Sequence, residues 1–134
     1  MEELEMRLYH YTSGHCARSI QEKGITLGRL CLGEAGRMHG HAAVRYTKEP
    51  YQWLTDFQDH MHGLERKYRD WRVIVDIPDG DRNLMSPREW KKAIRPMVHK
   101  GSWGMYTLPF NDHSWLYAGT IPPEWIAGVE RVEP

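Results

Sequence analysis

Arg7-Leu8-Tyr9-His10-Tyr11-Thr12-Ser13-Gly14, continuing to Lys23-Gly24-Ile25, is the stretch from which the architecture reads most directly. Arg7–Tyr11 alternates in character, as a half-buried strand does. Thr12 and Ser13 then offer hydroxyls that can accept hydrogen bonds from the unpaired N–H groups of a helix start. A helix over Gly14–Lys23 turns Ala17 and Ile20 inward, and Gly24 stands where a left-handed C-cap is wanted. Ile25 and Leu27 are expected to return the chain to the core. This strand, capped helix and glycine exit form the clearest local organisation in the sequence, and the chain is read as one α+β domain.

The rest of the chain extends this pattern. Gly28–Gly40 holds four glycines together with Arg29, Arg37 and His39, and is expected to be an irregular loop. Ala42–Tyr46 (AAVRY) predicts a second strand. Thr47 is placed to cap a following helix, with Pro50 in its first turn. Trp53, Leu54, Phe57, Met61 and Leu64 recur at three-to-four spacing, so part of Tyr51–Asp70 is expected to be helical, with Gly63 interrupting it. Trp71–Ile77 (WRVIVDI) is β-branched and alternating, and stops at Pro78 and the Asp79-Gly80 turn pair. Ser86-Pro87-Arg88-Glu89 combines an N-cap, an N1 proline and an N3 carboxylate, and starts a helix over Pro87–Ile94 that ends near Pro96. Met97–His113 is turn-rich. Trp115–Ala118 reads as a strand, Gly119 as a bend, Pro122–Ile126 as one helical turn, and Val129–Val132 as a strand that closes the sheet.

Composition narrows the function classes. The 134 residues allow one domain with one core, so residues 1–134 are read as a single unit. Lys and Arg together number 18 and Asp and Glu 18, so no global field draws the chain towards nucleic acid or membrane. No apolar run has the length of a membrane span. The acidic start MEELEM lacks the layout of a secretion signal, and two cysteines, Cys16 and Cys31, fit neither a zinc knuckle nor a disulfide framework. A reducing cytoplasm is the simplest setting. The six Trp and seven Tyr against two Phe favour partly wet sites, where an indole N–H or phenol O–H finds a partner.

Four stretches carry a resemblance. They are Leu8-Tyr9-His10-Tyr11-Thr12 followed by Ile20 and Gly24-Ile25; Val44-Arg45-Tyr46-Thr47-Lys48-Glu49-Pro50; Arg72-Val73-Ile74-Val75-Asp76-Ile77-Pro78; and Trp115 through Ile126, with its Gly119 and Ile121-Pro122. In this order they resemble the core motifs of small ADP-ribosyltransferase-like domains, including the DNA-modifying toxins and, more distantly, the RNA 2′-phosphotransferases. The resemblance implies a split β-sheet core with short helices. It also implies NAD as substrate or ligand, and transfer of ADP-ribose to an unidentified macromolecular acceptor, protein or nucleic acid.

Carried over residue by residue, the family pattern makes His10 the contact to the nicotinamide-side ribose and Tyr46 the ring that stacks on nicotinamide. Tyr11 and Thr12 beside His10 add nucleotide contacts. The family's third motif has a glutamate that binds the ribose 2′-hydroxyl and steadies developing positive charge. Here that place falls near Ser114, and Asp112 is the nearest carboxylate, with Glu124 and Glu130 further on. Catalysis is therefore assigned to His10, Tyr46 and Asp112. A chain without the glutamate loses electrostatic help in the transition state. It then reads alternatively as a non-catalytic NAD- or nucleotide-binding module, such as a phage or mobile-element accessory protein would use.

Other features have plainer readings. Arg29, Arg37 and Arg45 flank the Gly-rich segment, and guanidinium forks suit a pyrophosphate or nucleic-acid backbone; Arg29 is counted with the ligand-binding set. Lys91, Lys92, Arg95 and Lys100 form a second basic cluster. His39/His41 and His60/His62 are i, i+2 pairs that chelate well only on extended backbone, and with no accompanying carboxylate or cysteine at ligand spacing no metal is expected. Trp71, Trp90, Trp115 and Trp125 are expected to pack. A protein-interaction domain with an aromatic surface is a further alternative.

Overall fold

The computed structural model describes residues 5–38, 41–56, 70–94 and 111–132. In chain order its elements are β1 (Glu5–Thr12), α1 (Gly14–Lys23), β2 (Cys31–Met38), β3 (His41–Tyr46), β4 (Tyr51–Thr55), β5 (Trp71–Pro78), β6 (Leu84–Met85), α2 (Pro87–Ala93), β7 (Ser114–Ala118) and β8 (Ile126–Arg131). Short 3-10 turns at Asn111–His113 and Pro123–Trp125 precede β7 and β8. Six strands form one antiparallel sheet in the order β6-β7-β4-β1-β5-β8, and β2 and β3 form a separate antiparallel pair. The class is α+β.

The sheet is unequally knitted. β1 pairs with β5 along its whole length, from Glu5↔Pro78 to Thr12↔Trp71. β4 pairs with β7 from Tyr51↔Ala118 to Thr55↔Ser114. Between these two well-paired units, β1 and β4 meet at a single register position, Tyr9↔Thr55. The result is two three-stranded halves joined at one point and diverging beyond it.

Each helix covers one face, as strand alternation requires. Leu8, Leu54, Val73, Val75, Ile77 and Tyr117 pack with Ala17 and Ile20 of α1. Their strand neighbours Trp53 and Leu116 pack on the other side with Leu30, Trp90 and Ile94. Full burial of an aliphatic side chain contributes about 1.5–3 kcal/mol. Trp90 is fully buried, and its indole Nε1 donates to the Ser114 carbonyl at 2.7 Å, so the polar atom enters the core satisfied. Trp53 meets Trp90 edge-on at 4.9 Å.

Local chemistry explains the helix ends. The Ser13 hydroxyl accepts from the Cys16 N–H at 3.4 Å, and Gly24 takes φ 81° while its N–H donates to the Ile20 carbonyl. A side chain at Gly24 would strike the Ile121 carbonyl, which Ile25 uses to staple the α1 exit to the segment before β8. α2 opens with the full capping box, Ser86 bonded to the Glu89 N–H and Glu89 to the Ser86 N–H.

Four expectations are corrected. Cys31–Met38 forms a strand, not loop; pairing with β3 is kept through register shifts at Cys31/Gly33 and Glu34/Gly36, where extra residues are absorbed as bulges. Tyr51–Thr55 is a strand, not the start of a helix, and residues 57–69 lie outside the described ones. Leu54 packs on the α1 side and Trp53 on the α2 side, so a period of two overrode the three-to-four spacing. Thr47 accordingly caps no helix; its hydroxyl accepts from the Leu30 N–H and donates to the Glu49 carbonyl, closing a turn. Leu27, expected inside, is 89% exposed.

Candidate functional site

Where β1 and β4 part, they open a cleft of ≈ 1090 Å3. One wall is Tyr9–Thr12 of β1 with the adjoining face of α1; the other is Tyr51–Thr55 of β4, with the segment Thr26–Arg29 and the residues Tyr46 and Thr47 at the rim. His10, Tyr11, Thr12, Arg29 and Tyr46 all line this one space. Asp112 does not. It lies in the turn before β7, 90% exposed, and accepts from Lys91 Nζ at 2.8 Å. That hydrogen bond and the ammonium charge hold the Asp112 pKa below the ordinary carboxylate value.

His10 spans the parting strands. Its Nδ1 lies 3.1 Å from the Trp53 carbonyl oxygen. A carbonyl only accepts, so Nδ1 carries the proton and, in the neutral ring, Nε2 keeps the lone pair. Burial against the protein lowers the His10 pKa below the usual imidazole value, opposed by the bond to Trp53, which favours the cation. Burial thus favours the neutral imidazole. Among the described residues no partner is bonded to Nε2.

The opposite wall is fixed by a buried amide. Gln52, 2% exposed, accepts from the Gly28 N–H at 3.0 Å through Oε1 and donates Nε2 to the Gly119 carbonyl at 3.2 Å. The Tyr51 N–H returns a bond to the Gly28 carbonyl at 3.0 Å. Gly28 sits so close to β4 that a Cβ there would collide with the Tyr51 carbonyl and the Gln52 side chain. The rim segment is therefore held at its middle while its neighbours project. Leu27 and Tyr46, the latter 54% exposed, are the exposed large hydrophobic side chains among the described residues, and both stand on this cleft. Arg29 is tethered through Nη1 to the Thr26 carbonyl at 3.3 Å and the Gly28 carbonyl at 2.8 Å. Those bonds fix one corner of a fork whose other N–H groups can meet an anion.

Arg29 and Lys23 are the charged side chains among the described residues lining the cleft; none of those residues is Asp or Glu. Glu130 is instead paired with Arg72 on β8 and β5, and Glu124 is exposed in the turn before β8. Asp56 lies just past the closed end of the cleft, where it binds His113 Nδ1 at 2.7 Å and the Trp115 indole at 2.9 Å. The histidines and cysteines of the described residues form no group of three or more that could hold a metal ion. Of the paired histidines, His39, His60 and His62 lie outside the described residues. No helix of the described residues is long and apolar enough to cross a membrane.

Sequence reading had singled out none of Gln52, Trp53, Lys23 and Leu27 as lining a site. Reading Tyr51 onward as helical hid the first two, since a helix offers no reason for a buried Gln to bridge two loops. Lys23 stands in the sequence reading only as the last residue of the first helix. Comparison with protein-family models, curated proteins and solved structures returns no match to this chain. The cleft's own chemistry is a neutral imidazole acceptor, an exposed phenol ring, a tethered guanidinium and a largely apolar wall.

Proposed function

We propose that the cleft binds NAD or a closely related nucleotide, and that the chain is an ADP-ribosyltransferase-like domain specialised for holding that ligand. The observation that carries this reading is the meeting of His10, Tyr46 and Arg29 on one cleft between the halves of a split sheet. Its volume, ≈ 1090 Å3, lies just above the usual range of small-molecule sites, about 300–1,000 Å3, and suits a dinucleotide. His10 Nε2 accepts from a ribose hydroxyl, Tyr46 stacks on a base or the nicotinamide, and Arg29 meets phosphate oxygens, with Tyr11 and Thr12 completing the wall.

Binding is favoured over transfer because the described lining residues supply no carboxylate opposite the developing positive charge of an oxocarbenium-like ribose. The second reading is transfer of ADP-ribose to a protein or nucleic-acid acceptor. What favours it is the ordered set of stretches around His10, Tyr46, Asp76 and Ile121, which resembles the motifs of a family that performs this chemistry. Calorimetric titration with NAD tests the first reading. The wild type should bind, and Tyr46→Ala should weaken binding by about tenfold, since base stacking on an aromatic contributes about 1–3 kcal/mol. No heat with NAD, ADP-ribose or AMP refutes it. Incubation with NAD labelled in the adenylate half and a cell lysate separates the two readings: nicotinamide release with label on a macromolecule establishes transfer.

A further inference from the structure

We infer that His10 is a positioning residue whose Nδ1–H latches the two halves of the sheet together and so sets the width of the cleft. The inference rests on the cleft being the ligand site, but its core observation is geometric. Main-chain pairing of β1 with β4 stops after Tyr9↔Thr55. Had the ladder continued, Trp53 would have faced Tyr11. Instead the Trp53 carbonyl receives the side chain of His10 at 3.1 Å. A side-chain donor has replaced a strand-to-strand bond at the position where the strands part.

This substitution has a mechanical consequence. β1 is anchored to β5 through eight consecutive register pairs and β4 to β7 through five. Each half is therefore rigid, and their relative spread is governed by what crosses the gap. At the closed end of the cleft the Tyr9↔Thr55 pairing acts as the pivot, and the His10–Trp53 bond is the brace on its open side. The imidazole is also longer than a direct main-chain contact, so it holds the strands apart as well as together. A ring of this length keeps the cleft open wide enough to admit a ligand while preventing the halves from swinging freely. The same bond fixes the tautomer, leaving Nε2 without a proton.

Two amides separate the roles of the ring nitrogens. In His10→Asn the Nδ2 group is attached to Cγ as Nδ1 is, and can donate to the Trp53 carbonyl. His10→Gln carries its amide further out, near the place of Nε2, and His10→Ala has neither. The readouts are amide hydrogen exchange across residues 9–12 and 51–55 without ligand, and NAD affinity. Loss of one hydrogen bond, about 0.5–1.5 kcal/mol, corresponds to about 2- to 12-fold faster exchange. His10→Ala and His10→Gln should show that increase in residues 51–55, and His10→Asn should restore wild-type protection together with part of the NAD affinity lost in His10→Ala. Exchange in His10→Asn as fast as in His10→Ala, or unchanged in all three variants, overturns the latch. If the wild type binds no NAD while the exchange pattern holds, the latch stands and the nucleotide reading falls.

Discussion

Replacing Gln52 by glutamate offers a sharp test of how the cleft wall is held. The Gln52 amide is 2% exposed, accepts from the Gly28 N–H and donates to the Gly119 carbonyl. A carboxylic acid can do both. An ionised carboxylate keeps the first bond and turns the second into oxygen facing oxygen. Burial and that repulsion raise the pKa of the new acid, while the Gly28 N–H partly offsets them; full burial alone shifts carboxyl groups by up to about 3–5 units. Taking roughly 2 units above the unfolded value of about 4.3, and 1.36 kcal/mol per unit, the variant loses about 3 kcal/mol relative to wild type once fully ionised. The sign follows from linkage. A raised folded pKa leaves stability intact below the unfolded value and removes it as pH rises through the folded one. Urea unfolding of both proteins at pH 4 and pH 8 measures this. With a slope of about 1–3 kcal/mol per molar, the midpoint of Gln52→Glu should approach that of wild type at pH 4 and lie about 1–3 M lower at pH 8. A difference that does not change with pH would refute the claim that Gln52 is retained for its donor as well as its acceptor.

Further expectations concern the core, the cleft and the turn before β7. Trp90→Phe keeps most of the buried ring but removes the 2.7 Å bond from the indole to the Ser114 carbonyl, so stability should drop by about 0.5–1.5 kcal/mol in chemical unfolding. The lowered pKa of His10 means that the fold resists its protonation. Its contribution is present above the unfolded value of about 6.5 and is lost as pH falls towards the folded one, so the stability gap between wild type and His10→Asn should change between pH 8 and pH 5 in the direction that disfavours wild type at low pH. Asp112→Asn removes an exposed partner of Lys91 away from the cleft and should leave NAD affinity within about twofold, because solvent screens a contact this exposed. A larger loss in that titration would bring Asp112 back towards the ligand.

Local signals in the chain were sufficient for much of the scaffold. Ser13 and Gly24 bracket α1, Ser86-Pro87 and Glu89 open α2, and the alternation of Trp71–Ile77 gives β5, because caps, turn glycines and β-branched runs act over a few residues. The strand at Tyr51–Thr55 was not legible. Trp53 and Leu54 satisfy a helical spacing equally well, and only pairing with β7 decides which way each points. The bulged strand Cys31–Met38 was hidden for the same reason, since its glycines signal a loop until a partner strand absorbs them.

The sequence alone determined which groups were available: an imidazole in Tyr-His-Tyr-Thr, a phenol at Tyr46, a guanidinium at Arg29. Tertiary structure alone decided that these three share one cleft, that Asp112 lies elsewhere beside Lys91, and that Gln52 shapes a wall. The physical reason is range. Caps and alternation are set by neighbours in the chain, whereas a cleft exists only where β1 and β4, brought side by side by their separate partners β5 and β7, stop pairing after Tyr9↔Thr55.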